Sequence, residues 1–109
     1  MSFILLIAAS AVDPALVARA DQMNLDFTQC LFATARTASE QGNSSERFSV
    51  MLARSCPAER DRLHLVTVEI LRQQGNSKQE AEQEWSRLEA QARASVERAY
   101  GLRDKPTHG

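Results

Sequence analysis

The sequence predicts an all-α fold: a small antiparallel helical bundle of about four helices, at roughly 14–41, 44–56, 57–74 and 77–100, built from two helical hairpins. Three observations carry this. The 109 residues are rich in Ala, Glu, Gln and Arg and hold only 4 Gly and 3 Pro, a composition that favours helix. The string Gln-Gly-Asn-Ser occurs twice, from Gln41 and from Gln74, and each copy has the parts of a helix-to-helix turn. Between these turns apolar residues recur every three or four positions, the period of a helix with one buried face.

The chain opens with an uncharged apolar run, Phe3 to Val12, about half the ~20 residues that a membrane-spanning helix needs. Such a run followed by small residues reads as the core of a secretory signal. Two Ala-x-Ala sites follow, Ala9-Ser10-Ala11 and Ala18-Arg19-Ala20, so the signal segment is 1–11 or 1–20. Asp13-Pro14 has the form of a helix start, with Asp accepting from free backbone N–H groups and Pro giving up an N–H that has no partner. That places Ala18 to Ala20 inside a helix and makes cleavage after Ala11 the better reading. Met1-Ser2 supplies none of the basic residues usual ahead of a signal core. The expected location is the periplasm or outside the cell; the alternative is the cytoplasm, with the apolar run packed as part of the fold.

The helical domain is expected to span 14–101. In the first helix Leu16, Ala20, Met23, Phe27, Cys30 or Leu31, and Ala38 recur at helical spacing, with Leu25 and Phe32 widening the stripe. At the first turn Gly42 takes the left-handed conformation, and Asn43, three residues before Glu46, is the expected cap of the next helix. Phe48, Met51, Leu52 and Ser55 mark a short second helix, which Pro57 ends because the residue before proline avoids helical geometry. Pro57 also starts the third helix. Its segment Leu63 to Leu71 suits an alternating strand as well, but the helix-forming flanks decide for helix. Gly75 and Ser77 repeat the turn, and Ser77 with Glu80 forms a capping box. Ala81, Trp85, Leu88, Ala92, Val96 and Ala99 stripe the last helix, Gly101 is its expected end, and 102–109 is the expected flexible tail. The 33-residue offset between the turns raises an internal repeat. Beyond the turn, however, the copies share little more than Thr34 with Thr67 and Arg54 with Arg87.

Cys30 and Cys56 each stand thirteen positions from Asn43, inside the first turn. In an antiparallel hairpin, residues equidistant from the turn lie side by side, so a disulfide clipping the first hairpin is predicted for an exported chain. Its role is structural.

Chemistry-bearing patterns are sparse. The formal net charge is −1 with both signs scattered, which argues against a nucleic-acid partner. His64 follows Asp61 by three positions, yet no second histidine or cysteine pair lies within helical reach, so no metal site and no catalytic residue is predicted. Haem lacks its attachment motif and axial pair; no cofactor is expected. Glu80, Glu82, Glu84, Glu89 and Glu97 interleave with Arg87, Arg93 and Arg98 as a solvated, salt-bridged face. Trp85 and Phe32 are the candidate ligand or partner contacts. Two functions fit these residues. The first is a non-catalytic envelope protein acting by contact with a protein partner, of chaperone, inhibitor or immunity type, with no membrane span after processing. In general plan it resembles the small periplasmic acid-stress chaperones, which are also exported, helical and held by one disulfide, though the cysteine spacing differs. The alternative is a carrier with an apolar pocket between helices, lined by residues such as Phe27, Phe32, Leu65 and Trp85.

Overall fold

A computed structural model of the protein describes residues 12–104, with side chains to residue 102. The expected signal segment 1–11 and residues 105–109 of the expected tail lie outside the described residues. The fold is all-α: α1 (Pro14–Glu40), α2 (Ser45–Ala53), α3 (Pro57–Gln73) and α4 (Lys78–Asp104), with no strand among the described residues. Residues 63–71, the one stretch with strand character, are helical.

The helix ends follow from local chemistry. Asp13 caps α1, accepting from the Ala15 N–H at 2.9 Å, with Pro14 in the first turn. At both Gln-Gly-Asn-Ser strings the glycine is left-handed, φ 71° at Gly42 and 98° at Gly75. There the N–H groups of Asn43 and Asn76 reach back to the Ala38 and Leu71 carbonyls, while Gly42 and Gly75 donate to Ser39 and Arg72. This double bond closes the last turn of each helix and satisfies its free carbonyls. Ser77 and Glu80 form the expected reciprocal box, each side chain bonding the other's backbone N–H at 3.1 and 2.8 Å.

The first turn corrects the expected cap. Asn43 has donated its own N–H to α1, so the cap passes to Ser44, whose Oγ accepts from the Arg47 N–H at 3.2 Å. The Asn43 side chain turns instead to Gln41 and to Met51 Sδ. Gly101 is also corrected: it lacks the positive φ that a left-handed cap requires, and α4 runs through it to Asp104. Residues 102–104 are thus helix and not tail.

Cys56 stands between α2 and α3 in the left-handed conformation, φ 60° and ψ 45°. Left-handed geometry cannot continue α2, and the following proline bars the ordinary helical one, so one rod becomes two helices. Their shared partner is α1. Cys30 and Cys56 are bridged, with Cα atoms 6.0 Å apart, and the Asp13 N–H donates to Gln73 Oε1 at 3.3 Å. Both pairs are equidistant from Asn43, by thirteen and by thirty positions. The first hairpin therefore extends its register past the clip: α1 runs up, α2 and α3 run back down along it, and α4 returns up. Tyr100 stacks on Phe48, ring centroids 4.1 Å apart, and its hydroxyl donates to the Asn43 carbonyl, locking the top of α4 onto the first turn. The halves of the chain are not a structural repeat, since α1 and α2 have 27 and 9 residues and α3 and α4 have 17 and 27.

The core lies where the three rods meet. Phe27, Leu31, Phe48, Leu52, Ile70 and Trp85 are among its buried members.

Candidate functional site

Trp85, buried on α4, has His64 and Arg60 of α3 against its ring. The His64 ring stacks on it at 5.1 Å and the Arg60 guanidinium lies 5.7 Å from its centroid. His64 Nε2 meets Glu82 at 2.7 Å, whereas Asp61 turns away to Arg60 at 2.9 Å. The His64–Asp61 pair considered from the sequence is therefore not assembled.

Beside it, Glu89 joins α3 to α4. It accepts from Arg60 Nε at 2.8 Å and from Arg93 at 3.0 and 3.1 Å. Burial pushes its carboxyl pKa up, but the hydrogen bonds and charges of the two arginines outweigh this and hold it below the ordinary glutamate value. Arg93 also donates to the Leu52 and Ser55 carbonyls and lies 5.4 Å over the Phe27 ring. One side chain thus closes the C-terminal end of α2 and ties it to α4. Of the interleaved acidic face, Glu84–Arg87 is the exposed pair expected, whereas Glu89–Arg93 is a correction: packed against α2 and α3, it is largely buried and not solvated.

Cys30 and Cys56 have Glu59 close by, the three ligand atoms lying within 4.8 Å of one another. The sulfurs are bonded to each other, so neither is a thiolate able to hold a metal.

Among the described residues, two concave sites lie in the groove between the parallel helices α1 and α4. The lower cleft, about 320 Å³, is walled by Asn24 and Phe27 of α1 and by Leu88, Ala92, Ser95 and Arg98 of α4, with Leu63, Thr67 and Trp85 at its base. The upper cleft, about 170 Å³, lies between Phe32, Ala35 and Arg36 of α1 and Val96, Ala99 and Tyr100 of α4. Both candidate contacts are here, and at different depths: Trp85 is buried in the floor, while Phe32 stands on the rim, 45% exposed. Leu25, two turns below Phe32 on the same face of α1, is 49% exposed, and Leu102, one turn above Arg98 on α4, is 74% exposed. Leu25 and Phe32 are thus exposed and do not widen the buried stripe of α1; of the two, Phe32 lines a cleft. Leu65 is 73% exposed on α3 and lines neither cleft, which removes it from the expected pocket.

Two polar atoms near the lower cleft have no hydrogen-bond partner among the described residues, Trp85 Nε1 and Thr67 Oγ1. Both are sealed from solvent, and each orphaned group costs about 1–3 kcal/mol. The sequence carries no sign of this, because only the packed neighbours reveal whether a donor is satisfied.

Compared with known proteins, the chain matches no family model, no curated protein and no solved structure.

Proposed function

We propose that the chain is a small exported, non-catalytic protein that acts by binding another protein along the α1–α4 groove. The observation that supports this is Phe32, a large apolar side chain left 45% exposed on the rim of the upper cleft, next to a lower cleft with an apolar floor. Large apolar side chains exposed singly are ordinary, but one that lines a concave apolar surface is the form of an interaction site. Leu25, Val50, Leu65 and Leu102 are exposed as well but line neither cleft. The bridged Cys30–Cys56 pair fits an oxidising compartment, and among the described residues no helix is long and apolar enough to cross a membrane.

Site-specific photocrosslinking tests this reading. A benzophenone side chain at Phe32 or Leu102, in cells of the native host, is expected to trap one discrete protein adduct; the same group at Leu65 is expected to trap none. Equal labelling from all three positions, or from none, refutes the reading.

The carrier reading keeps one observation of its own, the volume of the lower cleft, which is in the range of small-ligand pockets. It ranks second because the unpartnered atoms are sealed beneath the floor. A ligand entering the cleft as it is shaped meets apolar side chains and a polar rim, with no buried polar group offered to orient it.

A further inference from the structure

The groove has a definite occupant chemistry. We infer that it takes a single amphipathic α-helix bearing two large apolar anchors one heptad apart and carboxylates beside the upper anchor; this rests on the contact reading above.

The residues of the two clefts are displaced along α1 by about nine positions and along α4 by about seven, which at 1.5 Å per residue is roughly 10–13 Å. Two turns of an α-helix rise about 10.5 Å, so side chains at i and i+7 fall on one face at this separation. Each cleft then receives one anchor, the larger below.

Backbone chemistry favours a helix over an extended segment. An extended segment also spans this distance, in three or four residues. It would leave its N–H and C=O groups unpaired, because the rims are two α-helices whose own backbone groups are internally bonded and the floor is apolar. A helix satisfies its backbone within itself and brings only side chains. The position is also the natural one for a further rod. α1 and α4 pack against each other, and the lower cleft between them reaches down to Leu63 of α3, so a further helix laid over it contacts both rods.

Charge narrows the occupant further. Arg36 lines the upper cleft and Arg98 the upper end of the lower one, where it donates to Ser95 Oγ, and neither has a carboxylate within ion-pair distance among the described residues. The one carboxylate among the lining residues, Glu89, is already shared by Arg60 and Arg93. The groove therefore presents positive charge to its occupant, which selects against a basic helix and for an acidic one.

The test uses the full oxidised protein and labelled alanine-based peptides of about 18 residues. The first carries leucines at i and i+7 with two glutamates beside the second leucine. The second has the same composition with the leucines five apart, on different faces, and the third replaces the glutamates by lysines. Fluorescence anisotropy is expected to show the first binding at least about tenfold more tightly than either other, a difference of about 1.4 kcal/mol. The protein variant Arg36→Glu/Arg98→Glu, checked for native helicity, is expected to reverse the preference between the first and third peptides. Equal affinity for the two leucine spacings, no binding of the acidic peptide, or no reversal overturns the inference. So does a concentration-dependent dimer lost on Phe32→Ser, which would make a second copy the occupant. If crosslinking from Phe32 succeeds while the peptides fail, the helix inference falls alone. If both fail, the contact reading falls with it.

Discussion

Replacing both cysteines by alanine, in the variant Cys30→Ala/Cys56→Ala, removes the one covalent link across the first hairpin. The bridge joins residues 26 positions apart, and the chain-entropy model assigns a closed loop of that size about 3.5 kcal/mol. Part of this is returned. Cys56 is held left-handed at φ 60°, a conformation that costs a non-glycine residue about 1 kcal/mol, and without the bridge position 56 is free to relax. The expected net loss is about 2.5–3 kcal/mol, a large share of the 5–10 kcal/mol of a domain this size, with Tm lower by roughly 10–20 °C. Urea unfolding of oxidised wild type and the variant, followed by far-ultraviolet circular dichroism, measures it. The m-value should rise in the variant, because an unbridged denatured chain exposes more surface. Native-state hydrogen exchange locates the effect: α2, with only nine residues, loses protection first, since its lower end is held by the clip and by Arg93. A loss below about 1 kcal/mol, or protection lost uniformly, would refute the view that the bridge anchors the α2–α3 corner.

Four further outcomes are expected. Gly42→Ala and Gly75→Ala each meet open space, with nothing within 4 Å of the added Cβ; the cost is therefore backbone conformation alone, about 1 kcal/mol, and larger at Gly75, whose φ of 98° lies further from the left-handed well. Denaturation midpoints read both. Trp85→Phe removes ring area but also an unpartnered N–H, so the two effects should offset to within about 1 kcal/mol, whereas Trp85→Ala should cost about 3–5 kcal/mol; equal losses in the two variants would show that the indole nitrogen has a partner. Glu89, with its pKa depressed, adds stability that is fully present above the ordinary glutamate value and lost as pH falls through the lower folded-state value. A stability profile from pH 6 to pH 2 should therefore lose a step in Glu89→Gln, which at neutral pH costs roughly 1–2 kcal/mol after allowing for partial exposure. Phe32→Ser, at a half-exposed rim position, should change stability by less than about 1 kcal/mol while abolishing the crosslinked adduct formed from Leu102.

What was legible in the sequence is what local chemistry decides. Gly42 and Gly75 announce left-handed turns because few other residues adopt that backbone freely, and Ser77 with Glu80 announces a cap because the two side chains close on each other's N–H groups. The disulfide was legible for a different reason, the symmetry of Cys30 and Cys56 about Asn43, and the same symmetry brings Asp13 to Gln73 at the far end. The errors came where one position's role hangs on its neighbour. Asn43 and Ser44 both suit a cap, and the choice is made by the bond that Asn43 sends back to Ala38. Gly101 suits a helix end, yet nothing beyond it supplies the left-handed turn, and the helix continues.

The groove was harder to see because it is a difference between helices and not a property of either. Leu25 and Phe32 lie about 140–160° around α1 from buried Phe27, so only their apolar character, and not their spacing, points to the buried stripe. Phe32 becomes a rim only because α4 returns parallel to α1 with the upper cleft between them, and the position of α4 is set elsewhere. Tyr100 fastens the top of α4 to the first turn, and Arg93 fastens its middle to the end of α2. Arg93 also lies over the Phe27 ring of α1, so it holds α4 against both other rods and keeps one wall of the lower cleft in place. Arg93→Leu should therefore deform that cleft and weaken partner binding without touching Phe32, and retained binding in that variant would mean that the cleft does not depend on this tie.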